Sequence, residues 1–292
     1  MIYAFIQAHP EHAVAKWASF LEVSTSGYYA WQQERESRQA RDAAYATQVQ
    51  RIFDRSGGTY GADRVTGQLR KDGLRASFKK VKRIMNEHGL FSVHLRYQRS
   101  LTDSRGARDE DCPNLLRDVP EIRPFRALSS DITYIPTQEG FAYTCTIRDL
   151  RSGVVLAEQT ASRMKKELVL DTIRSATRSW KLDKGTIFHS DRGSQYTSEA
   201  VRECLRKLGL RQSFSRTGKP GDNTWSESFY SILKKELVHP IGRFRSREEA
   251  AQGVFTFINA FYNTTRIQKN LDYLSPLEWL NRYHNSTLKI SA

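Results

Sequence analysis

No stretch of the 292 residues approaches the ~20 consecutive apolar positions that a bilayer-spanning helix needs. A membrane-embedded role is therefore not expected. Cysteine is scarce: Cys112, Cys145 and Cys204 are odd in number and far apart, which speaks against a disulfide framework and against a cysteine zinc site. The opening residues, MIYAFIQAHPEHAVAKW, lack a basic segment followed by an apolar one, so no secretory signal is read and a cytoplasmic location is expected. Internal repeats and low-complexity tracts are also missing. Acidic residues are in deficit, with 32 Asp and Glu against 46 Lys and Arg, a net charge of +14. What remains is a chain with 39% hydrophobic residues, enough for a buried core, and a length suited to about two domains of ordinary size.

The positive excess points to a polyanionic partner, nucleic acid before a membrane surface. It is concentrated: residues 41–100 hold thirteen Lys and Arg against five Asp and Glu, a net of +8. Residues 12–32 and 38–53 read as helices, with a turn at Ser24 to Gly27 between shorter pieces. Ala62, Val65 and Leu69 then recur at helical spacing, and Lys71-Asp72-Gly73 stops that helix. Ser77 is placed to cap the next one, where Phe78, Val81, Ile84 and Met85 form the apolar stripe and Gly89 closes the end. Lys79, Lys80, Lys82 and Arg83 lie off that stripe. Two short helices around a glycine-containing turn, the second one basic, fit a helix-turn-helix whose cations reach DNA phosphates. A solvated helix face on an ordinary helical domain accounts for the same pattern.

Residues 100–120 are polar, without periodicity, and carry Pro113 and Pro120, so they read as a linker. Beyond them the pattern turns strand-like. ALSSDITYI, FAYTCTIRDL and GVVLAEQT, divided by Gln138-Glu139-Gly140 and Arg151-Ser152-Gly153, suggest a three-stranded antiparallel meander. Val169, Ile173, Ala176 and Trp180 mark a helix, GTIFHS a short buried strand, and Ser198 opens a helix with Val201, Cys204, Leu205 and Leu208 on one face. RQSFS is a further strand and WSESFYSILKKEL a further helix, giving a mixed α/β domain of order β-β-β-α-β-α-β-α.

Three carboxylates stand out in that order. Asp131 lies within the first strand, where an ionisable group needs a reason. Asp191 follows the fourth strand, and Glu227 opens the last helix, with 35 residues between them. In that helix Phe229, Leu233 and Leu237 share one face, whereas Glu227, Ser231 and Lys234 share roughly the opposite one. Such a trio suits metal-assisted phosphoryl transfer, because Mg²⁺ takes oxygen ligands from few carboxylates plus substrate phosphate. Two ions about 4 Å apart could activate a water or a 3′-hydroxyl and stabilise the leaving oxygen. Lys234 could hold a phosphate.

On these residues the chain resembles bacterial insertion-sequence transposases with a retroviral-integrase-like core, encoded by the second of two overlapping frames. VSTSGYYAW, GTYGADRV and VKRIMNEHGL look like that family's N-terminal region. DITYI, HSDRGSQYTS and DNTWSESFYSILKKEL look like its D,D(35)E signature, and YNTTRIQKNLDYLSPLEWL like its C-terminal motif. The resemblance implies an RNase H-like catalytic core, a mixed five-stranded sheet with helices, preceded by an α-helical helix-turn-helix region. It implies five segments: 1–45 helical, 46–92 helix-turn-helix, 93–122 linker, 123–240 catalytic core and 241–292 a C-terminal helical extension. Asp131, Asp191 and Glu227 carry over as catalytic metal ligands for Mg²⁺ or Mn²⁺, two ions per site. Lys234 carries over as the basic residue of the glutamate helix. His189, Ser190, Gly193, Gln195, Tyr196 and Asn223 carry over as active-site surroundings.

The implied reaction nicks double-stranded DNA at element ends, after which the freed 3′-hydroxyl attacks another phosphodiester, without a covalent protein–DNA intermediate. The implied partners are element ends and target DNA, further copies of the chain in a dimer or larger assembly, and the upstream-frame protein, often joined by frameshifting. That piece is expected to be absent from a chain opening with its own Met1. Bacterial cytoplasm, at the nucleoid when DNA-bound, is the implied location. The chain departs from the family in having Leu128-Ser129-Ser130 where Trp commonly precedes the first aspartate, Trp225 where a small residue is usual, and Gln268 where His is common. None removes a carboxylate.

Two other readings stay open: a non-catalytic DNA-binding regulator of transposition, and an RNase H-type nuclease acting on RNA–DNA hybrids. His189 could serve the site or the fold equally. Trp225 could stack on a base or pack at the helix start, and Gly218-Lys219-Pro220-Gly221 could be a mobile loop or a turn. Ser246 and Glu249 form a capping box ahead of Val254, Ile258 and Phe261. Asn263-Thr-Thr and Asn285-Ser-Thr match glycosylation sequons but are inert inside a cell.

Overall fold

Ser24 caps a helix rather than forming a turn between short pieces: its Oγ accepts a hydrogen bond from the Gly27 amide at 3.2 Å. In the computed structural model, which describes residues 2–93, 113–119, 123–215 and 224–290, this helix runs unbroken over Thr25–Arg55. We label it α3, after α1 (Ile2–Ala8) and α2 (Val14–Phe20). The stretch read at 38–53 and the last part of that read at 12–32 are thus one helix, because no Gly or Pro lies between them, and the break between shorter pieces falls between α2 and Ser24. The described side chains from Gln33 to Ala40 are all exposed, so this middle stretch is a solvated rod of the kind that bridges packed ends.

The C-terminal part of α3 buries Ala46, Val49 and Ile52 within the unit that holds α4 (Ala62–Lys71) and α5 (Phe78–Glu87). Ser77 caps α5 through the Lys80 amide, and Gly73 and Gly89 sit at φ 81° and 66°, where a side chain would be strained. Val65, Leu69, Val81, Ile84 and Met85 form the shared core; Phe78, expected in the stripe, is 46% exposed. As the first residue of the helix it precedes the turn that meets α3.

The chain divides into two compact units, Met1–Phe91 and Ser92–Ala292. The second is built on a five-stranded sheet of order β3-β2-β1-β4-β5, with β1 (Ala127–Thr137), β2 (Gly140–Asp149), β3 (Val155–Ala161), β4 (Ile187–Ser190) and β5 (Arg211–Phe214). β1, β2 and β3 are the antiparallel meander, while β4 and β5 add in parallel. One face carries Leu128, Cys145, Ile147 and Ala157 beneath α6 (Lys166–Ser179) and α7 (Glu199–Lys207). The other carries Ile135 and Ala142 beneath α8 (Thr224–Leu233) and α10 (Arg247–Thr256). A helical turn at Leu115–Asp118, inside the stretch read as linker, packs with Leu115 and Leu116 on Ala127, Leu150 and Ile187. Residues 94–112, including Cys112, lie outside the described residues.

Two π-turns shift the helical register. α8 continues as a π-turn at Lys234–Val238 and, after the short α9 (His239–Ile241), α10 continues as another at Phe257–Tyr262. Each adds a residue to the turn, so Val238 and Tyr262 are buried at 4% and 0%, whereas Leu237 and Phe261, expected on those faces, are only partly buried. The residues after 240 have no core of their own. Ala250, Val254 and Ile258 pack with Ile135 and Phe229, and Leu280 of α11 (Pro276–Ile290) packs in the opposite cluster. Asn263, the first sequon asparagine, is buried against the edge strand: its Nδ2 donates to the Val155 carbonyl at 2.9 Å and its Oδ1 accepts from the Val155 amide at 3.0 Å. Those contacts satisfy backbone groups that an edge strand otherwise leaves open. Among the described residues no helix is long and apolar enough to cross a membrane.

Candidate active site

Asp131 and Asp191 meet because of strand register. β1 and β4 run parallel with Ser129 opposite His189. Asp131 lies two residues further along β1, where a step of two returns its side chain to the face of Ser129, and Asp191 lies two residues past His189, beyond the end of β4. That face is the one covered by α8 and α10. Asp191 stands just past the end of β4, and its Oδ1 accepts the Gly193 amide at 3.0 Å. A Cβ at Gly193 would lie 3.0 Å from that oxygen and 3.1 Å from Gln195 Oε1, so a side chain there would press on both groups. The Asp131 carboxylate accepts the Ile132 amide at 2.8 Å.

Glu227 arrives on α8, where it is exposed. Three residues on, one helical turn away, Tyr230 is buried with its hydroxyl donating to the Asp131 carbonyl and lying 3.0 Å from Thr146 Oγ1. Thr146 is the β2 partner of Asp131, so α8 is fastened at the strand position that carries the first carboxylate. Tyr230 escaped the sequence reading; its signal was a hydroxyl at i+3 from Glu227 within an apolar face. Lys234, at the start of the π-turn, is half-buried with its Nζ 4.5 Å from the centre of the Tyr134 ring.

Packed surroundings, then the charges of Asp191 and Glu227, push the Asp131 carboxyl up to about 8, with the Ile132 amide and the Lys234 charge opposing. Burial also raises Asp191 against the pull of the Gly193 amide, and burial lowers Lys234, opposed by Asp131. The three carboxylates and the lysine therefore share one electrostatic field. They are not closed around a single point: among the described residues no three acidic, histidine or cysteine side chains stand close enough to enclose a metal ion. The donors are all hard oxygens, the set that Mg²⁺ or Mn²⁺ takes.

The surrounding residues divide by role. His189 is fully buried with Nδ1 2.9 Å from Ser213 Oγ, its register partner on β5, which favours the structural reading of this histidine. Ser190 is buried and donates to the Asp191 carbonyl at 2.9 Å. Gln195 donates to the Met164 carbonyl at 3.1 Å, tying the Asp191 loop to the segment before α6. Tyr196 is buried with its hydroxyl 2.9 Å from Ser130 Oγ. Asn223 and Gly218-Lys219-Pro220-Gly221 lie outside the described residues, as does the side chain of Trp225. In the N-terminal unit, Lys79 and Lys82 are exposed. Lys80 and Arg83 instead each reach Asp42 of α3 at 2.8 Å, and Lys80 lies 4.4 Å from the Tyr45 ring centre. Those two contacts, with Lys80 first, hold the Asp42 carboxyl below its usual range.

A fourth carboxylate shares the row of Asp131. Glu158 on β3 pairs with Thr146, and burial raises it to about 7, although Asn259 Nδ2 donates to it at 2.9 Å. Its folded-state value lies above the usual ~4.3, so its folded-state preference for the proton costs stability as pH rises from about 4.5 to 7. Glu158→Gln should flatten that slope and gain about 1–2 kcal/mol at pH 8, with little change at pH 4. Thermal unfolding at the two pH values checks it, and equal shifts at both would refute it.

Comparison with known proteins agrees with this architecture. Two families, each described as an integrase core domain, match residues 121–220 and 227–287, and an HTH-like domain matches residues 39–99. The transposase for insertion sequence element IS904 of Lactococcus lactis subsp. lactis (strain IL1403) is 36% identical over 232 residues, covering 79% of this chain and 91% of that one. Transposase InsF for insertion sequence IS3A of Escherichia coli (strain K12) is 33% identical, covering 97% of this chain and 99% of that one. Among solved structures, the catalytic core domain of BIV integrase is similar at 18% identity and a TM-score of 0.42, covering 56% of this chain and 98% of that one. With an integrase core split across α8, an HTH-like domain before it and end-to-end likeness to such relatives, the chain belongs to the insertion-sequence transposase family.

Proposed function

We propose that this chain is an active DDE-type transposase, which nicks double-stranded DNA at insertion-sequence ends and joins the freed 3′-hydroxyl to another phosphodiester. The observation that supports the reading is the parallel pairing of β1 and β4, with Ser129 opposite His189, so that Asp191, just past the end of β4, faces the charge of Asp131, while the Glu227 helix is fastened at Asp131. Asp131, Asp191 and Glu227 would hold divalent cations. The donor chemistry fits: a carboxyl pushed to about 8 by burial and two neighbouring carboxylates is a group that a hard dication would relieve. Mg²⁺ or Mn²⁺, when bound, supplies Lewis acidity at the phosphate and at the attacking oxygen.

The chain's own groups then orient and neutralise. Lys234, steadied over Tyr134 beside Asp131, is placed to hold a non-bridging phosphate oxygen and offset its charge. The Asp191 loop, closed by Gly193 and tied by Gln195, keeps the second carboxylate in place. Bringing two element ends together calls for two or more copies of the chain, and end recognition for the upstream-frame protein. DNA phosphates would be met in the N-terminal unit by Lys79 and Lys82 more than by Lys80 and Arg83, which are engaged with Asp42.

The test incubates labelled DNA from either side of the encoding gene with the full chain and Mg²⁺, beside Glu227→Gln. Nicks at discrete 3′ ends with joined products, absent in the variant, are expected. Binding without cleavage, in Mn²⁺ and with the upstream-frame product added, would instead favour a regulator, and preferential cleavage of RNA–DNA hybrids a nuclease. A double variant, Lys79→Ala with Lys82→Ala, should lower the slope of log affinity against log salt by about 2. An unchanged slope would place the phosphate contacts elsewhere.

A further inference from the structure

Both carboxylates that approach Asp131 arrive on segments that also carry a buried tyrosine. Tyr230 lies one helical turn after Glu227, and Tyr196 five residues after Asp191. Each sends its hydroxyl to β1 at the level of the first carboxylate, and the two come from opposite faces of the sheet. From the α8 face the Tyr230 hydroxyl donates to the Asp131 carbonyl, lies 3.0 Å from Thr146 Oγ1, and is 3.4 Å from the Thr144 carbonyl. From the α6 and α7 face the Tyr196 hydroxyl lies 2.9 Å from Ser130 Oγ and 3.6 Å from Cys145 Sγ. Tyr196 is 1% exposed and Tyr230 5%, so neither hydroxyl is available to substrate.

A phenylalanine would fill either ring site. The hydroxyls are what the packing does not require, and a buried hydroxyl is costly unless bonded. Both are spent at Ser130 and Asp131, the β1 position that carries the first carboxylate and its immediate neighbour. Glu227 lies in the first turn of α8, three residues before Tyr230, so the Tyr230 hydroxyl fastens the helix one turn from that carboxylate.

The geometry points to Tyr196 and Tyr230 as positioning residues: paired hydroxyl struts that set the spacing of Asp191 and Glu227 from Asp131, and hence the affinity of the site for divalent cations. This rests on reading those three carboxylates as the metal-holding set. The two ideas can fail separately.

The experiment titrates Mn²⁺ into the full chain calorimetrically and follows DNA nicking in parallel. The parent is compared with Tyr196→Phe, Tyr230→Phe, Thr146→Val and Asp131→Asn. Each Phe variant should fold and bind Mn²⁺ about tenfold more weakly, as expected when an outer-shell partner of a ligand is lost. The turnover of bound DNA should fall with it, while KM for DNA stays near parent. Thr146→Val removes a buried hydrogen bond from the same tyrosine but leaves its tie to Asp131, so Mn²⁺ affinity should hold.

Parent affinity in both Phe variants, with no binding in Asp131→Asn, overturns the struts and leaves the metal-holding set standing. A loss in Thr146→Val equal to that in Tyr230→Phe also overturns them, because affinity would then merely follow stability. Mn²⁺ binding by Asp131→Asn overturns the metal-holding set and the struts with it. Should Tyr196→Phe fail to fold, Ser130→Ala removes the same hydrogen bond from the strand side, and unchanged affinity there counts equally against the proposal.

Discussion

Asp131→Asn should lose cleavage and strand joining by about a thousandfold or more, yet be more stable than the parent when no divalent cation is present. The first effect follows from the proposed role: without this charged oxygen donor the site would lose its hold on the cations that offset charge on the transferring phosphate, worth several kcal/mol at about 1.4 kcal/mol per factor of ten. The second follows from where the carboxyl sits. Its folded-state value of about 8 lies far above the ~3.9 of an unfolded chain, because burial and then the Asp191 charge disfavour its ionised form. The folded protein therefore holds a proton that the unfolded chain gives up. Stability from this group is complete below pH ~4 and is lost as pH rises towards 8. Asparagine keeps the shape and carries no charge, so the variant should unfold several degrees higher at pH 8.5 and show a flatter pH dependence. Adding Mg²⁺ should raise the parent and leave the variant unmoved. Thermal unfolding at pH 5 and 8.5, with and without Mg²⁺, reads all of this beside a nicking assay. A variant that nicks at the parent rate, or that gains nothing at pH 8.5, would remove Asp131 from the role.

What the sequence revealed and what it hid follow from how local each signal is. The alternation in ALSSDITYI and FAYTCTIRDL and the turn residues between them are local, and β1 and β2 pair antiparallel as read. The places of Asp131, Asp191 and Glu227 at three different elements, β1, the end of β4 and α8, were legible for the same reason, with the family motifs adding which carboxylates to choose. Helical spacing failed where the backbone left the 3.6-residue turn. Nothing in KKELV or FINAFY announces a π-turn, so Leu237 and Phe261 were placed where Val238 and Tyr262 are buried. The long α3 was divided because an exposed charged stretch has no stripe to count, although nothing in it breaks a helix. Lys80 and Arg83 looked free for DNA because Asp42, which holds them, is some forty residues away. Tyr230 was hidden likewise, because its partners are set by the fold and a tyrosine in an apolar stripe reads as packing; Tyr196 stood out through the family motif, and only its partner Ser130 was hidden.

The same distance hides the pair with the largest structural consequence. Arg266 is 2% exposed, and its guanidinium donates from Nε and Nη2 to the two carboxylate oxygens of Glu236, each at 2.7 Å, with Glu236 only 9% exposed. Glu236 belongs to the π-turn that begins at Lys234, and Arg266 follows the second π-turn, so the pair links the end of the Glu227 helix to the C-terminal segment. A buried ion pair gains little over a well-packed apolar substitute, but losing one partner strands the other charge. Arg266→Met should thus cost about 3–5 kcal/mol, a fall in Tm of about 10 °C for a unit of this size. Adding Glu236→Leu to Arg266→Met should recover most of that loss, since no charge is then left buried. Urea unfolding of the two variants beside the parent decides it. If the double variant is no more stable than Arg266→Met, the cost lies in lost packing of the arginine stem around Tyr262 and not in the stranded carboxylate. If neither differs from the parent, the pair contributes nothing and the register of the π-turn is held by Leu233 and Val238 alone.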